Sequence, residues 1–127
     1  MVGRAERLNV ARRALDALRV AAALDRPGDL ERDATLLRLA FAAEAAWKAA
    51  QAHLREAEGV DAGSPKGVVR ACVEAGLLPP ERGEEVLRLL DDRNLVVHTY
   101  NEELALQILE RIPAHERALT AWLDALG

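Results

Sequence analysis

Four residues within eight positions carry groups that can hold an anion and move a proton: Arg93, Asn94, His98 and Tyr100. A guanidinium binds a planar oxyanion bidentately and keeps its charge when buried. An imidazole exchanges protons near neutral pH. A carboxamide orients either neighbour by hydrogen bonding, and a phenol offers a hydroxyl. Simpler roles are open to each. Arg93 can pair with a carboxylate, for which Asp91, Asp92 and Glu44 are candidates, His98 can cap a helix, and Tyr100 can pack with its hydroxyl in water.

These residues matter because of the element that carries them. A helix is expected from about Pro80 to Val97. Projected at about 100° per residue, Val86, Leu90 and Val97 form its inward stripe, and Arg93 falls in the middle of that stripe with Asn94 on its edge. A guanidinium in an apolar stripe is costly unless it is paired or opens onto a polar cleft. His98 lies one turn beyond Asn94 and shares its edge.

The rest of the chain reads as helix. Its 127 residues include 25 Ala and 21 Leu, both strong helix formers, and only 3% aromatics. A first helix is expected from about Arg4 to Asp25, with a stripe through Leu8, Ala11, Leu15, Leu18 and Ala22, and Arg26-Pro27-Gly28 breaks it. Asp29 can cap a second helix from about Leu30 to Glu58, striped by Leu36, Ala40, Ala43, Trp47, Ala50 and Leu54. Ser64-Pro65 starts a short third helix that ends at Ala75 before Gly76. After the helix bearing Arg93, Asn101 can cap a last helix through Leu104, Ile108, Ile112, Leu119, Trp122 and Leu126, which Pro113 kinks or interrupts. The expected fold is all-α: an antiparallel four-helix up-and-down bundle with an additional short helix, in one domain spanning residues 1–127.

Composition narrows the function classes. No apolar run is long enough to cross a membrane, and the first residues lack an apolar signal core, so a cytoplasmic protein is expected. One cysteine, Cys72, excludes an intrachain disulfide and a cysteine zinc site, and it is expected to be buried. His53 and His115 have no metal-ligand spacing and read as surface residues. Neither a metal nor a cofactor is expected. A net charge of −4 argues against a protein that coats nucleic acid without specificity. Trp47 and Trp122 read as core or interface packing, since so few aromatics make a poor stacking platform. Lys48 reads as a solvated helix-edge residue. No glycine-rich phosphate loop and no paired-Asp metal motif is present, so the chain is not itself a nucleotidyltransferase.

The segment from Asp91 to Glu103, with Arg93, Asn94, His98 and Tyr100 in place, resembles the signature of HEPN domains. The subgroup it resembles is the nucleotidyltransferase substrate-binding proteins, or HepT-like toxins. Arg32-Asp33-Ala34 with Phe41 to Lys48, and Ser64-Pro65-Lys66 with Ala75-Gly76-Leu77, extend the likeness over roughly residues 4 to 126. The resemblance implies a homodimer with the motif facing a cleft between subunits, and a partner nucleotidyltransferase encoded nearby. For toxin members it implies a metal-independent ribonuclease that the partner silences by transferring AMP to the motif tyrosine, here Tyr100.

Arg93, Asn94 and His98 suit that chemistry. Metal-free RNA cleavage needs a base for the 2′-hydroxyl, an acid for the leaving oxygen and positive charge near the phosphorane. One His98 per chain falls short of two proton-transfer groups, and a dimer cleft brings the second. AMP on Tyr100 would set bulk and negative charge where the RNA phosphate must sit. The same residues also suit a non-catalytic subunit that binds substrate for, or docks, a nucleotidyltransferase.

Overall fold

The computed structural model describes residues 2–99 and 101–127. Six helices follow one another: α1 (Arg4–Ala22), α2 (Asp29–Ala57), α3 (Pro65–Glu74), α4 (Pro80–His98), α5 (Glu102–Glu110) and α6 (Ile112–Ala125). Among the described residues there is no strand. α1, α2, α4 and the α5–α6 segment form the antiparallel four-helix bundle, and α3 is the additional short helix. No helix among the described residues is long and apolar enough to cross a membrane.

The helix ends follow from local chemistry. Ser64 accepts a hydrogen bond from the Gly67 N–H at 3.0 Å, and Pro65 opens α3 where its missing N–H costs nothing. Asn101 accepts from the Leu104 N–H at 3.1 Å and starts α5. Gly76 takes φ +78, a left-handed conformation that closes α3 at little cost for glycine.

Two boundaries differ from expectation, and at Pro113 one of the two expected effects is found. α1 ends at Ala22 rather than Asp25, ahead of Arg26, which sits at φ 55 before Pro27. The cap of α2 is Gly28, not Asp29: its N–H donates to the Glu31 carboxylate at 2.8 Å, and Asp29 becomes the first helical residue. The last helix is interrupted, not kinked. Pro113 removes a hydrogen bond and crowds the carbonyl of the residue four before it, so the chain breaks at Arg111, which ends α5 and precedes α6.

α2 is the central helix and touches α1, α3, α4, α5 and α6. Ala42, Ala43, Ala46, Ala49 and Ala50 are buried along it, so its neighbours approach a slim surface. The core around them is filled by Trp122, Leu18, Leu39, Leu54, Leu89, Ile108, Leu119 and Leu123. Gly83 lets α4 approach α3, since a Cβ there would meet Val73 Cγ2 at 2.5 Å.

Among the described residues, Thr35, Asp92 and His115 are the buried polar or charged ones, and two of them meet inside the helical framework. The Asp92 side chain is only 7% exposed, and Arg111 grips it from the α5–α6 break through Nε at 2.8 Å and Nη2 at 2.9 Å. His115 Nε2 lies 2.6 Å from Asp92 Oδ2. His115 is therefore buried at 3% exposure, and its expected surface position is corrected. Its site follows from Asp92: a buried carboxylate needs partners, and α6 supplies one. Burial pushes the Asp92 carboxyl up, but the hydrogen bonds from Arg111 and His115 outweigh burial and hold it below its ordinary value of 3.8.

A carboxylate with a lowered folded-state value stabilises the fold at pH above its unfolded value, and that stabilisation disappears as pH falls through the folded value. The Asp92 contribution should therefore be complete above pH 3.8 and be lost below it. Asp92→Ala should cost about 3 kcal/mol at neutral pH, because it strands Arg111 and His115. Urea unfolding at pH 7 measures that cost. A variant as stable as the parent would show that the clamp contributes nothing.

Candidate functional site

α4 presents two faces at neighbouring residues. Val86, Leu89, Leu90 and Asp92 point into the core. Arg93 lies about 100° further round, toward α2. Its side chain is 26% exposed, so it is half-buried at the rim rather than central to the inward stripe. Val97, expected on that stripe, is 50% exposed. The last turn of α4 extends past the core, and the stripe ends before it does.

Glu44 of α2 is the carboxylate that pairs with Arg93. Arg93 Nη2 donates to Glu44 Oε2 at 3.2 Å, and Nη1 donates to Asn94 Oδ1 at 3.0 Å. Arg93 Nε is buried and has no partner. The other two candidates turn elsewhere, Asp92 to Arg111 and His115, Asp91 to Lys66 at 2.5 Å.

Glu44 is also a hub within α2. The Trp47 indole N–H donates to Oε2 at 2.9 Å, and Lys48 Nζ lies 3.4 Å from Oε1. Burial pushes the Glu44 carboxyl up, but the hydrogen bonds from Trp47 and Lys48 and the charges of Arg93 and Lys48 bring it below its ordinary value. The site thus holds an ionised carboxylate that fixes an arginine and an indole ring together.

Trp47, Ser64, Pro65, Lys66, Leu90, Arg93 and Asn94 line a groove of about 340 Å³ between α2, the start of α3 and α4. The sequence reading assigned neither Trp47 nor Lys66 to a site. Glu44, Trp47 and Lys48 at spacings of three and four are a legible helical cluster, whereas Lys66 joins only through the packing of α3 on α4.

Asn94 and His98 are both exposed, one helical turn apart on the same edge. His98 is the last residue of α4. Tyr100 lies outside the described residues. Of the sequence-predicted site residues, Arg93 and Asn94 are hydrogen-bonded to each other, and His98 stands beyond them at the helix end. Lys48 is a half-exposed edge residue paired with Glu44, as read. His53 is half-buried, with Nδ1 lacking a partner. Cys72 is buried as expected, and burial pushes its thiol up. Trp122 is core, as expected. Among the described residues, no three His, Cys, Asp or Glu side chains gather to hold a metal ion.

A half-buried guanidinium beside a carboxamide, with an imidazole one turn away, can bind an oxyanion and exchange protons with it. Comparison with known proteins gives the arrangement a context. Among solved structures, a protein from Thermus thermophilus is 46% identical, with TM-score 0.86 over 91% of this chain and 98% of that one. A chain of a mutant MntA–HpeT toxin–antitoxin structure shares the fold at 17% identity and TM-score 0.80, over 96% of this chain and 95% of that one. A chain of the tri-AMPylated Shewanella oneidensis HEPN toxin in complex with MNT antitoxin shares it at 17% identity and TM-score 0.79, over 96% and 94%. No curated protein matches. The family model described as "nucleotidyltransferase substrate binding protein like" matches residues 6–127, and the chain belongs to that family.

Proposed function

We propose that this protein is a metal-independent endoribonuclease that works as a homodimer and is silenced by a cognate nucleotidyltransferase. The observation that carries this reading is the state of Arg93. It is half-buried and fixed from two sides by Glu44 and by Asn94, which itself lies one turn before the exposed His98. An arginine serving only the fold has no need of an exposed imidazole and carboxamide on the same rim.

In this reading Arg93 binds the scissile phosphate and offsets the charge that builds on the phosphorane. Asn94 orients Arg93. One His98 takes the proton of the 2′-hydroxyl as that oxygen attacks phosphorus. The bond to the 5′-oxygen breaks, and His98 of a second copy gives that oxygen its proton. The products are a 2′,3′-cyclic phosphate and a 5′-hydroxyl. A neighbouring structure, whose name joins a tri-AMPylated HEPN toxin to an MNT antitoxin, supports AMP transfer as the mode of control, and Tyr100 of the motif is the residue assigned to receive it. The family description also favours a second reading, a non-catalytic subunit that presents substrate to a nucleotidyltransferase.

His98→Ala and Arg93→Ala should each lower RNA cleavage by about 10²–10³, with helical circular dichroism unchanged. Equal cleavage by the wild type and both variants would refute the site assignment. No cleavage by the wild type would leave the substrate-presenting subunit as the reading. Sedimentation should give twice the 13.8 kDa chain mass at tens of micromolar, and a purely monomeric species would refute the dimer.

Tyr100 is the only tyrosine, so AMP on tyrosine can sit nowhere else. Incubation with the cognate nucleotidyltransferase, ATP and Mg²⁺ should add AMP by intact mass, and Tyr100→Phe should abolish the gain. Adenylylation of the Phe variant would remove this mode of control.

A further inference from the structure

The groove between α2, the start of α3 and α4 is not needed for the chemistry assigned to Arg93 and His98, yet it opens from Arg93 and Asn94. One wall is the Trp47 indole. Its ring is held in place because its N–H donates to Glu44 at 2.9 Å. Lys66 lines the same groove, and among the described residues its ammonium pairs with Asp91. That pair is exposed, at 41% for Lys66 and 56% for Asp91, so Asp91 can turn to water and release the lysine. Leu90 and Pro65 complete an apolar floor.

The geometry points to a nucleotide subsite: the groove holds one nucleotide of a single-stranded RNA, its base against Trp47 and its phosphate between Lys66 and Arg93. Three features select that occupant over a peptide or a lone anion. A flat, pre-set aromatic face suits a base, and every base has a π-face to offer. Two cations, Lys66 and Arg93, line the same groove as the ring, so an anionic group linked to a flat one is complementary. The Arg93 guanidinium uses one N–H of Nη1 and one of Nη2 on its neighbours, which leaves the second N–H of each for a phosphate. The low aromatic content of the chain does not count against this, because one base needs only one ring.

The inference rests on the reading of the site as RNA-cleaving, and it adds a substrate contact on the side of Arg93 lined by Trp47 and Lys66. The subsite explains how a protein of net charge −4 takes hold of RNA: it grips one nucleotide next to the scissile phosphate instead of coating the strand.

The test uses the full-length protein and a short fluorescein-labelled single-stranded RNA methylated at every 2′-oxygen, which has no nucleophile and cannot be cleaved. The strand should bind and quench tryptophan emission, since Trp122 is buried and Trp47 alone borders the groove. Trp47→Leu should weaken binding at least about fivefold, the lower end for a base stacked on an aromatic ring, and Trp47→Phe should restore most of it. Lys66→Ala should reduce the slope of log affinity against log salt by about 0.7, the value for one lost phosphate contact on a single strand. A melting curve for each variant confirms folding. Wild-type affinity in both Trp47→Leu and Lys66→Ala would overturn the proposal. So would inorganic phosphate displacing the strand at the strand's own concentration, which would make the groove an anion site without a base. No binding by a wild type that still cleaves RNA would overturn it too. If the strand binds through Trp47 and Lys66 while His98→Ala cleaves like wild type, the catalytic assignment falls and the subsite stands.

Discussion

A buried carboxylate fixes the rotation of the helix that carries the site. Asp92 would be costly to hold in the interior without partners, and it has two, both from the last third of the chain. Because Arg111 and His115 reach it from the α5–α6 break and from α6, α4 cannot turn about its axis without losing both. Arg93 is the next residue. With Asp92 pointing inward, a turn of about 100° sends Arg93 toward α2 and onto Glu44. Asn94 and His98 then follow on the outer edge. The break that Pro113 imposes serves this arrangement, since it places Arg111 at a helix end, free to reach across to α4.

Glu44 does for the site what Asp92 does for the helix. It holds Arg93, Trp47 and Lys48 at once, so an otherwise mobile arginine enters any reaction already placed. Preorganised charge is worth more than charge that must be gathered when substrate arrives. The arrangement carries a cost, because an arginine neutralised by a carboxylate attracts a phosphate less than a free one. The geometry limits that cost. Nη1 and Nη2 each keep a second N–H, and Arg93 lines the groove whereas Glu44 does not.

Much of this was legible in the sequence. Periodicity placed every helix but the α5–α6 pair, and the caps at Ser64 and Asn101 stand where their side chains required. The cluster of Arg93, Asn94 and His98 was visible as polar residues at helical spacing, and Glu44 was among the partners considered. What periodicity lacks is absolute rotation. It gives angles between residues, and assigning the inward direction to Val97 put Arg93 in the core when Asp92 belonged there. That error hid His115, because a buried histidine two helices further along the chain is legible only once a buried carboxylate calls for it. Capping by Glu31 through the Gly28 N–H was likewise missed, since Asp29 offered the more familiar side chain at the neighbouring position.

The exposure of His98 sets the remaining demand on the molecule. Proton transfer to a phosphate is most effective where water is excluded and the local dielectric is low. One copy of the chain does not provide this: His98 ends α4 in solvent, and Val97 beside it is half exposed. The same region of the surface is unusually apolar. Phe41 is 60% exposed on α2, Leu37 is exposed one turn earlier, and a cavity of about 210 Å³ lined by Leu37, Leu95, Val96 and Thr99 adjoins the end of α4. Exposed apolar side chains gathered beside titratable ones are what an interface core next to a polar site requires. A second surface laid over Phe41 and Val97 would bury them and dry His98 in the same step. The proposed dimer would meet two needs, the cover these apolar residues lack in a single chain and the second imidazole the proposed chemistry requires.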